Sequence, residues 1–397
     1  MSGYLLTISI AALCFPAIAA VLSVPYVIWE YRRFGTISLW KTLVVFTFAL
    51  YLVCAFYLVI LPLPADRTVV VAYAATPQLV PLKSLRYAFS VFRRYAELAH
   101  PRTWMLGLRQ PAVYTQVLNL LMTVPFGFYL RYLKRWHWWQ VLAAGFALSL
   151  FFELTQLTGL WGIYAHPYRL FDVDDLLVNA TGALVGFWLS WPLVQLLPPM
   201  DEIDREQALR AEHRTTLTRR LCSFALDWAL VGLGVLALRH GAGVLPSRLA
   251  ALWGELGAVG CAAVLSAVVF LLVPMAFGRT LGQAALRLVI VRPDGSRSRW
   301  YQRLVRYLLL VYVSLLLPLF VLDPSAGTLE GVSSGSLSSV VLTYYVLYAV
   351  VVLVRDVASA SGPSLVLMSD LLSGVRVMGA RQAEALVVSR ASEESRR

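Results

Sequence analysis

Nine stretches of this chain are each long and apolar enough to cross a bilayer, which takes about 20 mostly apolar residues. They run over about 4–29, 41–62, 113–130, 138–157, 176–197, 221–238, 250–276, 305–322 and 338–354. Backbone N–H and C=O groups in hydrocarbon must be satisfied within the segment or by a closed neighbour, so each stretch reads as a helix. Composition agrees: 59% of residues are hydrophobic and only 14% charged, against about 25% charged in soluble domains. The expected fold class is an all-α polytopic membrane protein, with about nine transmembrane helices in two bundles of five and four. The first stretch has no basic region ahead of it. It reads as a retained span rather than a removed signal peptide, although "AIAA" loosely resembles a cleavage site.

Orientation follows from Lys and Arg. Most of the 34 basic residues fall in alternate segments, 30–41, 131–140, 198–220, 278–306 and 355–397, which the positive-inside rule assigns to the cytoplasm. The N-terminus is then outside and the C-terminus inside. The net charge of +12 is accounted for by basic loops facing anionic lipid, and no nucleic-acid partner is needed. The four cysteines, Cys14, Cys54, Cys222 and Cys261, show no metal spacing and read as small buried hydrophobes.

The polar segment 198–220, opened by two prolines, divides the chain. The expected organisation is a membrane domain over 1–197, a cytoplasmic linker over 198–220, a second membrane domain over 221–380 and a disordered tail over 381–397. Within the long loop 63–112, Leu82, Leu85, Phe89, Phe92 and Ala96 share one helical face, with Lys83, Arg86, Arg93 and Arg94 elsewhere on the wheel. That pattern fits an amphipathic helix lying on the outer membrane surface. It equally fits a lid packed over helix ends.

Polar residues gather where the third, fourth and fifth spans approach the outer face. Asn119 lies about 9 Å below the start of its span. Glu153 and Gln156 share one face of the last turns of the fourth span, and Asp175 and Asn179 are i, i+4 neighbours entering the fifth. Gly182 and Gly186 continue that stripe at the spacing of close helix packing. Arg169 and Asp172 sit in the capping loop. An ionisable group in a span costs about 2.5 kcal/mol or more at the centre and is usually functional or paired. A ring of buried hydrogen bonds joining three helices is one reading. A site open to the outer face is the other, favoured because four acids, Glu153, Asp172, Asp174 and Asp175, against one arginine exceed what helix joining requires.

These residues carry a family resemblance. "NLLMTVPFGFYL", "FELTQ" and "YRLFDVDDLLVNATGALVG", preceded by "QLVPLKSL", resemble the VanZ-like membrane proteins over about 35–197. The matching positions are Pro81, Asn119, Pro125, Gly127, Glu153, Gln156, Arg169, Asp172, Asp175, Asn179, Gly182 and Gly186. The resemblance implies a role in the bacterial cell envelope and in resistance to glycopeptides, especially teicoplanin.

The second half opens with "TRRLCSFALDWALVG", where Arg220 and Asp227 share a face and Asp227 lies about 10 Å into the span. A lone carboxylate there requires a partner, and Arg220 is the nearest candidate. "LRLVIV" followed by "PDGS" reads as a small cytoplasmic strand and turn. Arg220, Asp227, Arg306 and Asp370, with "GRTLGQAALRLVIVRPDG", resemble the RDD family over about 214–380. "GQAAL" departs from that family's usual basic residues after "LG". The resemblance implies a membrane domain for which transport, including sodium–proton exchange, has been proposed.

Other chemistry finds less support. Glu153, Asp172, Asp174, Asp175 and His166 could offer oxygen and imidazole to a metal, but no HxxxH or CxxC motif accompanies them, and no metal or cofactor is expected. There is no GxSxG and no Ser–His–Asp arrangement in one motif, and no P-loop or GxGxxG. The reading is a multi-pass protein of the bacterial cytoplasmic membrane that lowers susceptibility to glycopeptides and lipoglycopeptides such as teicoplanin. Asn119, Glu153, Gln156, Arg169, Asp172, Asp175 and Asn179 would bind an amphiphile in the outer leaflet. Its partners would be membrane lipid and either a lipoglycopeptide or a lipid-linked wall precursor. A secondary transporter or cation/proton exchanger, working through the second half, is one alternative. A membrane-embedded enzyme acting on a lipid-linked precursor is another.

Overall fold

A computed structural model describes residues 2–74, 76–97, 99–213, 215–240, 260–316 and 367–394. Among the described residues, seven helices are long and apolar enough to cross a membrane, and the protein is a mostly helical, multi-pass membrane protein. The expected span at 305–322 is described only through 316, and the expected span at 338–354 lies outside the described residues. The chain divides into two compact units, Met1–Ser23 with Ser38–Ile203, and Val24–Ile37 with Asp204–Arg397.

The helix α1 (Ser2–Arg33) belongs to the first unit through Ser23 and to the second from Val24; the first unit continues with α2 (Leu39–Ile60), α3 (Lys83–Tyr95), α4 (Trp104–Leu108), α5 (Pro111–Lys134), α6 (Trp138–Leu157) and α7 (Val173–Leu196). Packing centres on α5, α6 and α7. Glycine makes the α5–α7 crossing possible. A Cβ on Gly127 would lie 1.8 Å from the Ala183 carbonyl oxygen, and one on Gly182 would lie 2.2 Å from that of Leu120. On Gly186 it would lie 1.9 Å from the Val124 carbonyl oxygen. Lipid is as apolar as leucine, so helices associate through such close van der Waals contact rather than by leaving water. Phe126, Leu130, Val141 and Ala183 form the core, covered by Phe48, Tyr51 and Leu52 of α2. Pro125 interrupts the α5 hydrogen-bond ladder, and the Tyr51 hydroxyl donates to the adjacent Met122 carbonyl at 2.7 Å.

The loop between α2 and α5 folds over the helix ends. The α3 helix rests on α4 and α5, with Ala88 and Ala96 buried. Gly107 of α4 admits the Phe92 ring, since a Cβ there would lie 2.6 Å from it. The buried stripe therefore differs from the expected one: Leu82 and Phe89 are exposed, because the contact with α4 and α5 rotates the helix toward Ala88. Tyr87, Phe89 and Tyr95 stay exposed beside Lys83, Arg86, Arg93 and Arg94. The helix is thus a packed lid that keeps an aromatic and basic outer face.

The second unit contains α8 (Met200–His213), which straddles the division, then α9 (Leu217–His240), α10 (Gly260–Phe277), α11 (Leu281–Ala285), β1 (Leu288–Val291) and α12 (Trp300–Tyr307). After a long interval come α13 (Met368–Ser373), β2 (Arg376–Gly379) and α14 (Ala380–Glu394). Phe270, Leu288, Ile290, Tyr307, Val311, Val375 and Val377 form its core. The expected strand is present, but its main partner is not across the adjacent turn. β1 pairs antiparallel with β2, in the register Leu288↔Gly379 to Val291↔Arg376. The local turn is closed by the bridge between Val291 and Arg297 and by the Arg292 N–H donating to the Ser296 carbonyl at 2.9 Å.

Two other expectations concern polar segments. Much of the segment 198–220, read from the sequence as a polar cytoplasmic linker, is helical. Of the tail expected to be disordered over 381–397, residues 381–394 lie in the helix Ala380–Glu394, and the rest falls outside the described residues. Alanine, glutamate, glutamine and arginine favour helix, and Ala383 anchors this one against Val291 and Met378.

Candidate functional site

The start of α7 is built from carboxylates acting on backbone N–H groups. Asp172 is its N-cap, with extended backbone (φ −127°, ψ 118°) and its side chain accepting from the Asp174 N–H, at 2.9 Å. Its other carboxylate oxygen accepts from the Ser84 hydroxyl. The Asp172 N–H donates to Glu153 Oε2 at 3.0 Å. A buried carboxylate from the end of α6 thus faces the positive end of α7. Gln78 bridges to the same residue in parallel fashion: its N–H donates to the Phe171 carbonyl at 2.8 Å, and its own carbonyl accepts from Val173 at 3.0 Å.

Asp174 turns the other way. Fully buried, it accepts from the N–H groups of Leu82 at 2.5 Å, Ser84 at 2.7 Å and Leu85 at 3.2 Å. These are the first N–H groups of α3, which lacks a side-chain cap of its own and is preceded by Leu82 in the left-handed region (φ 64°). Asp174 therefore fastens the amphipathic helix to α7. It was not among the expected site residues, because its role exists only once the 78–85 segment returns over the bundle. Pro81, next to Leu82, lies at this turn.

Beneath the loop the polar groups converge. Asn119 and Gln116 of α5 face the Asp175 carboxylate. Ser149, one turn below Glu153, donates to the Asp175 carbonyl at 3.1 Å and accepts from Asn179 Nδ2 at 2.8 Å. Thr123 donates to the Asn179 carbonyl at 2.8 Å. Two acceptors in this group, Gln116 Oε1 and Asn179 Oδ1, are buried without a hydrogen-bond partner among the described residues. Gln156 and Arg169 are drawn to a different atom, the Val59 carbonyl at the end of α2, at 2.9 and 2.6 Å. Gln156 is buried while Arg169 is exposed. The expected residues thus separate. Glu153, Asp175, Asn179 and Asn119 form the centre, Asp172 organises the loop, and Gln156 and Arg169 cap α2. Sequence reasoning missed Gln116 and Thr123, each about one helical turn from Asn119 on α5, and Ser149, one turn from Glu153 on α6.

The overlying loop carries one more unpartnered group. Tyr168 is buried, its hydroxyl has no partner among the described residues, and burial pushes that hydroxyl up to about 12, so it stays a neutral donor. His166 is exposed. Before it, Gly159, Leu160, Trp161 and Gly162 run through a left-handed turn with φ of 59°, 56°, 57° and 88°, which leaves Trp161 exposed.

A second polar centre lies in the second unit. Asp370, wholly buried, accepts from Arg220 Nη1 at 3.0 Å and Arg306 Nε at 2.7 Å. Arg220 Nη2 also donates to the Val377 carbonyl of β2 at 2.6 Å. Asp227 does not use Arg220 as expected. Its carboxylate accepts from the Thr280 hydroxyl at 2.6 Å and the Gly282 N–H at 2.7 Å. Arg220 and Asp227 share a helix face but stand about 10 Å apart along the axis, and Arg220 finds Asp370 closer. Gly282 is required, since a Cβ there would lie 2.1 Å from the Ser223 carbonyl oxygen and 2.9 Å from Asp227 Cγ. Gln283, in "GQAAL", closes a capping box with Thr280 at the start of α11. That T-x-x-Q signal is visible in sequence.

Among the described residues, no group of three or more His, Cys, Asp or Glu side chains could hold a metal ion. Neither the curated proteins nor the solved structures contain a match to this chain. Residues 48–195, which include α5, α6 and the whole polar centre beneath the 63–112 loop, match the VanZ/LLP1 family, and the N-terminal half of this protein is VanZ-like.

Proposed function

We propose that the VanZ-like half is a receptor for the polar head of an amphiphile in the outer leaflet, and that through it the protein lowers bacterial susceptibility to lipoglycopeptides such as teicoplanin. The observation that carries this reading is the excess of acceptors at the centre. Glu153 and Asp175 lie beside two orphaned acceptor atoms, Gln116 Oε1 and Asn179 Oδ1. A buried acceptor without a donor costs about 1–3 kcal/mol, and a ligand offering amide, hydroxyl or ammonium donors recovers it. The ligand class is therefore a donor-rich head group on a lipid chain, as in a lipoglycopeptide or a lipid-linked wall precursor. Tyr168 and Arg169 would answer its acceptors. The basic, aromatic face of α3 would meet the membrane surface and control lateral access. The VanZ/LLP1 match supports a cell-envelope role. On this reading the residence is the bacterial cytoplasmic membrane, with the N-terminus outside.

The test is teicoplanin susceptibility of a deletion strain complemented with wild type, Glu153→Gln or Asp175→Asn at equal expression. Wild type should raise resistance and both variants should fail to. Variants that protect as well as wild type would remove the site from the reading.

A second reading has its own observation. Among the described residues, Asp227 is a buried carboxylate that accepts from a hydroxyl and a backbone N–H, which suits a proton or cation carrier, and the second half resembles the RDD family. On that reading, sodium- or pH-driven flux in proteoliposomes should vanish in Asp227→Asn; flux equal to wild type would exclude it.

A further inference from the structure

The second unit contains a small recess whose chemistry matches neither acidic centre. Its floor is Arg219, 4% exposed. Arg32, Arg287 and Arg381 rim it, and Tyr31 and Gly379 complete the wall. The three rim arginines are exposed.

Arg219 is held firmly. Its Nε and Nη2 donate to the Leu286 carbonyl at 2.9 and 2.6 Å, and its Nη1 donates to the Gly35 carbonyl at 3.2 Å. The guanidinium carbon lies 5.7 Å from the centre of the Tyr31 ring. The backbone approaches closely because Gly379 has no side chain, a Cβ there falling 2.7 Å from Arg219 Nη1. Arg287 donates to the Arg32 carbonyl at 2.9 Å, which draws two of the rim arginines together. Arg287 and Arg381 both repel the Arg219 charge.

None of these four arginines forms an ion pair among the described residues, and no acid lines the recess. Arginine stays charged at any working pH, so four cations converge with no counter-charge. The helix α14, 15 residues long, begins at Ala380 in the recess wall and adds its positive end. Hydrogen bonds to carbonyls satisfy the donors of Arg219, but they leave the net charge of the cluster unbalanced.

We infer that this recess is an anion site that binds a phosphate group. Planar guanidinium forks match phosphate oxygens in paired hydrogen bonds, and the small size of the recess favours a compact oxyanion over a large metabolite. Each arginine comes from a different one of the segments that the Lys/Arg distribution assigns to the cytoplasmic face: 30–41, 198–220, 278–306 and 355–397. A phosphate can reach that face from two sources, free in solution or on an anionic phospholipid. In either case it would tie together four separate pieces of chain.

The experiment uses the full chain in an uncharged detergent and follows thermal unfolding at constant ionic strength. Titrants are inorganic phosphate, then pyrophosphate, then mixed micelles containing phosphatidylglycerol, with phosphatidylcholine micelles as control. A ligand that binds only the folded state raises Tm with concentration. Arg32→Gln combined with Arg381→Gln removes two exposed charges and leaves the Arg219 floor intact. The double variant should need at least tenfold more titrant for the same rise, while Arg297→Gln, also exposed, should behave as wild type. A response to phosphate or pyrophosphate identifies a soluble anion, and a response to phosphatidylglycerol alone identifies a lipid head group. No response to any titrant, or an equal response in the double variant, overturns the site.

Discussion

Glu153 and Asp370 are equally hidden, 4% and 0% exposed, and are held in opposite ways. Asp370 sits between two guanidinium groups. Among the described residues, Glu153 accepts from a single backbone N–H at the head of α7, and Arg169 spends a donor on a carbonyl of α2 instead. A carboxylate locked by two cations has no capacity left for a ligand and serves to fasten elements together. One held by a neutral donor, with orphaned acceptors nearby, keeps capacity that a ligand can use. Burial of an acid alone therefore does not distinguish a rivet from a receptor; the identity of its donors does.

Four substitutions test this contrast. Asp370→Asn strands two buried arginines, and removing one partner of a buried pair costs about 3–5 kcal/mol. Unfolding of purified protein should show this loss, and a variant as stable as wild type would end the rivet assignment. Gly186→Ala drives a methyl group into the Val124 carbonyl, an overpacking that costs about 1–3 kcal/mol, read as a lowered Tm. Asp174→Ala removes the acceptor for three N–H groups of α3, a capping loss of about 1–2 kcal/mol. Hydrogen exchange should quicken over residues 83–95 while the α5–α7 crossing keeps its protection; uniform loosening would mean that α3 is not separately fastened. Glu153→Gln should cost least, about 1 kcal/mol, because an amide oxygen can still accept the Asp172 N–H. A full loss of teicoplanin protection beside that small change would separate function from fold. A large loss of stability would make Glu153 a second rivet.

Much of the membrane architecture was legible because hydrophobic length speaks directly to the bilayer. The stretch read as 138–157 is the helix Trp138–Leu157, and the glycine stripe of α7 meets α5 where close packing demands it. Charged termini were less legible. The run "DVDD" places three acids within four residues; Asp172 caps α7 locally, but nothing local says that Asp174 caps α3 or that Asp175 faces α5. The Asp174 role depends on a loop that returns from about 90 residues earlier, and that of Asp175 on the packing of α5. The partner of Asp227 was misread for a related reason. Helix periodicity reports a shared face, whereas the donors came from the Thr280–Gly282 turn. The β1 partner was similarly hidden, since "GVRVMG" is too short to announce a strand without its mate.

The distance in sequence between Arg220 and its carboxylate sets an order of events during synthesis. Asp370 is made 150 residues after Arg220 and 64 after Arg306, and β2 follows it. Until the last part of the chain leaves the ribosome, both arginines must remain hydrated or borrow lipid phosphate, and β1 has no β2 to pair with. The Asp227 contacts can form once residue 282 is made, but the Asp370 centre and the β1–β2 pair close only late, so a chain cut short before residue 370 would present the membrane quality-control machinery with two unanswered cations and an open strand edge.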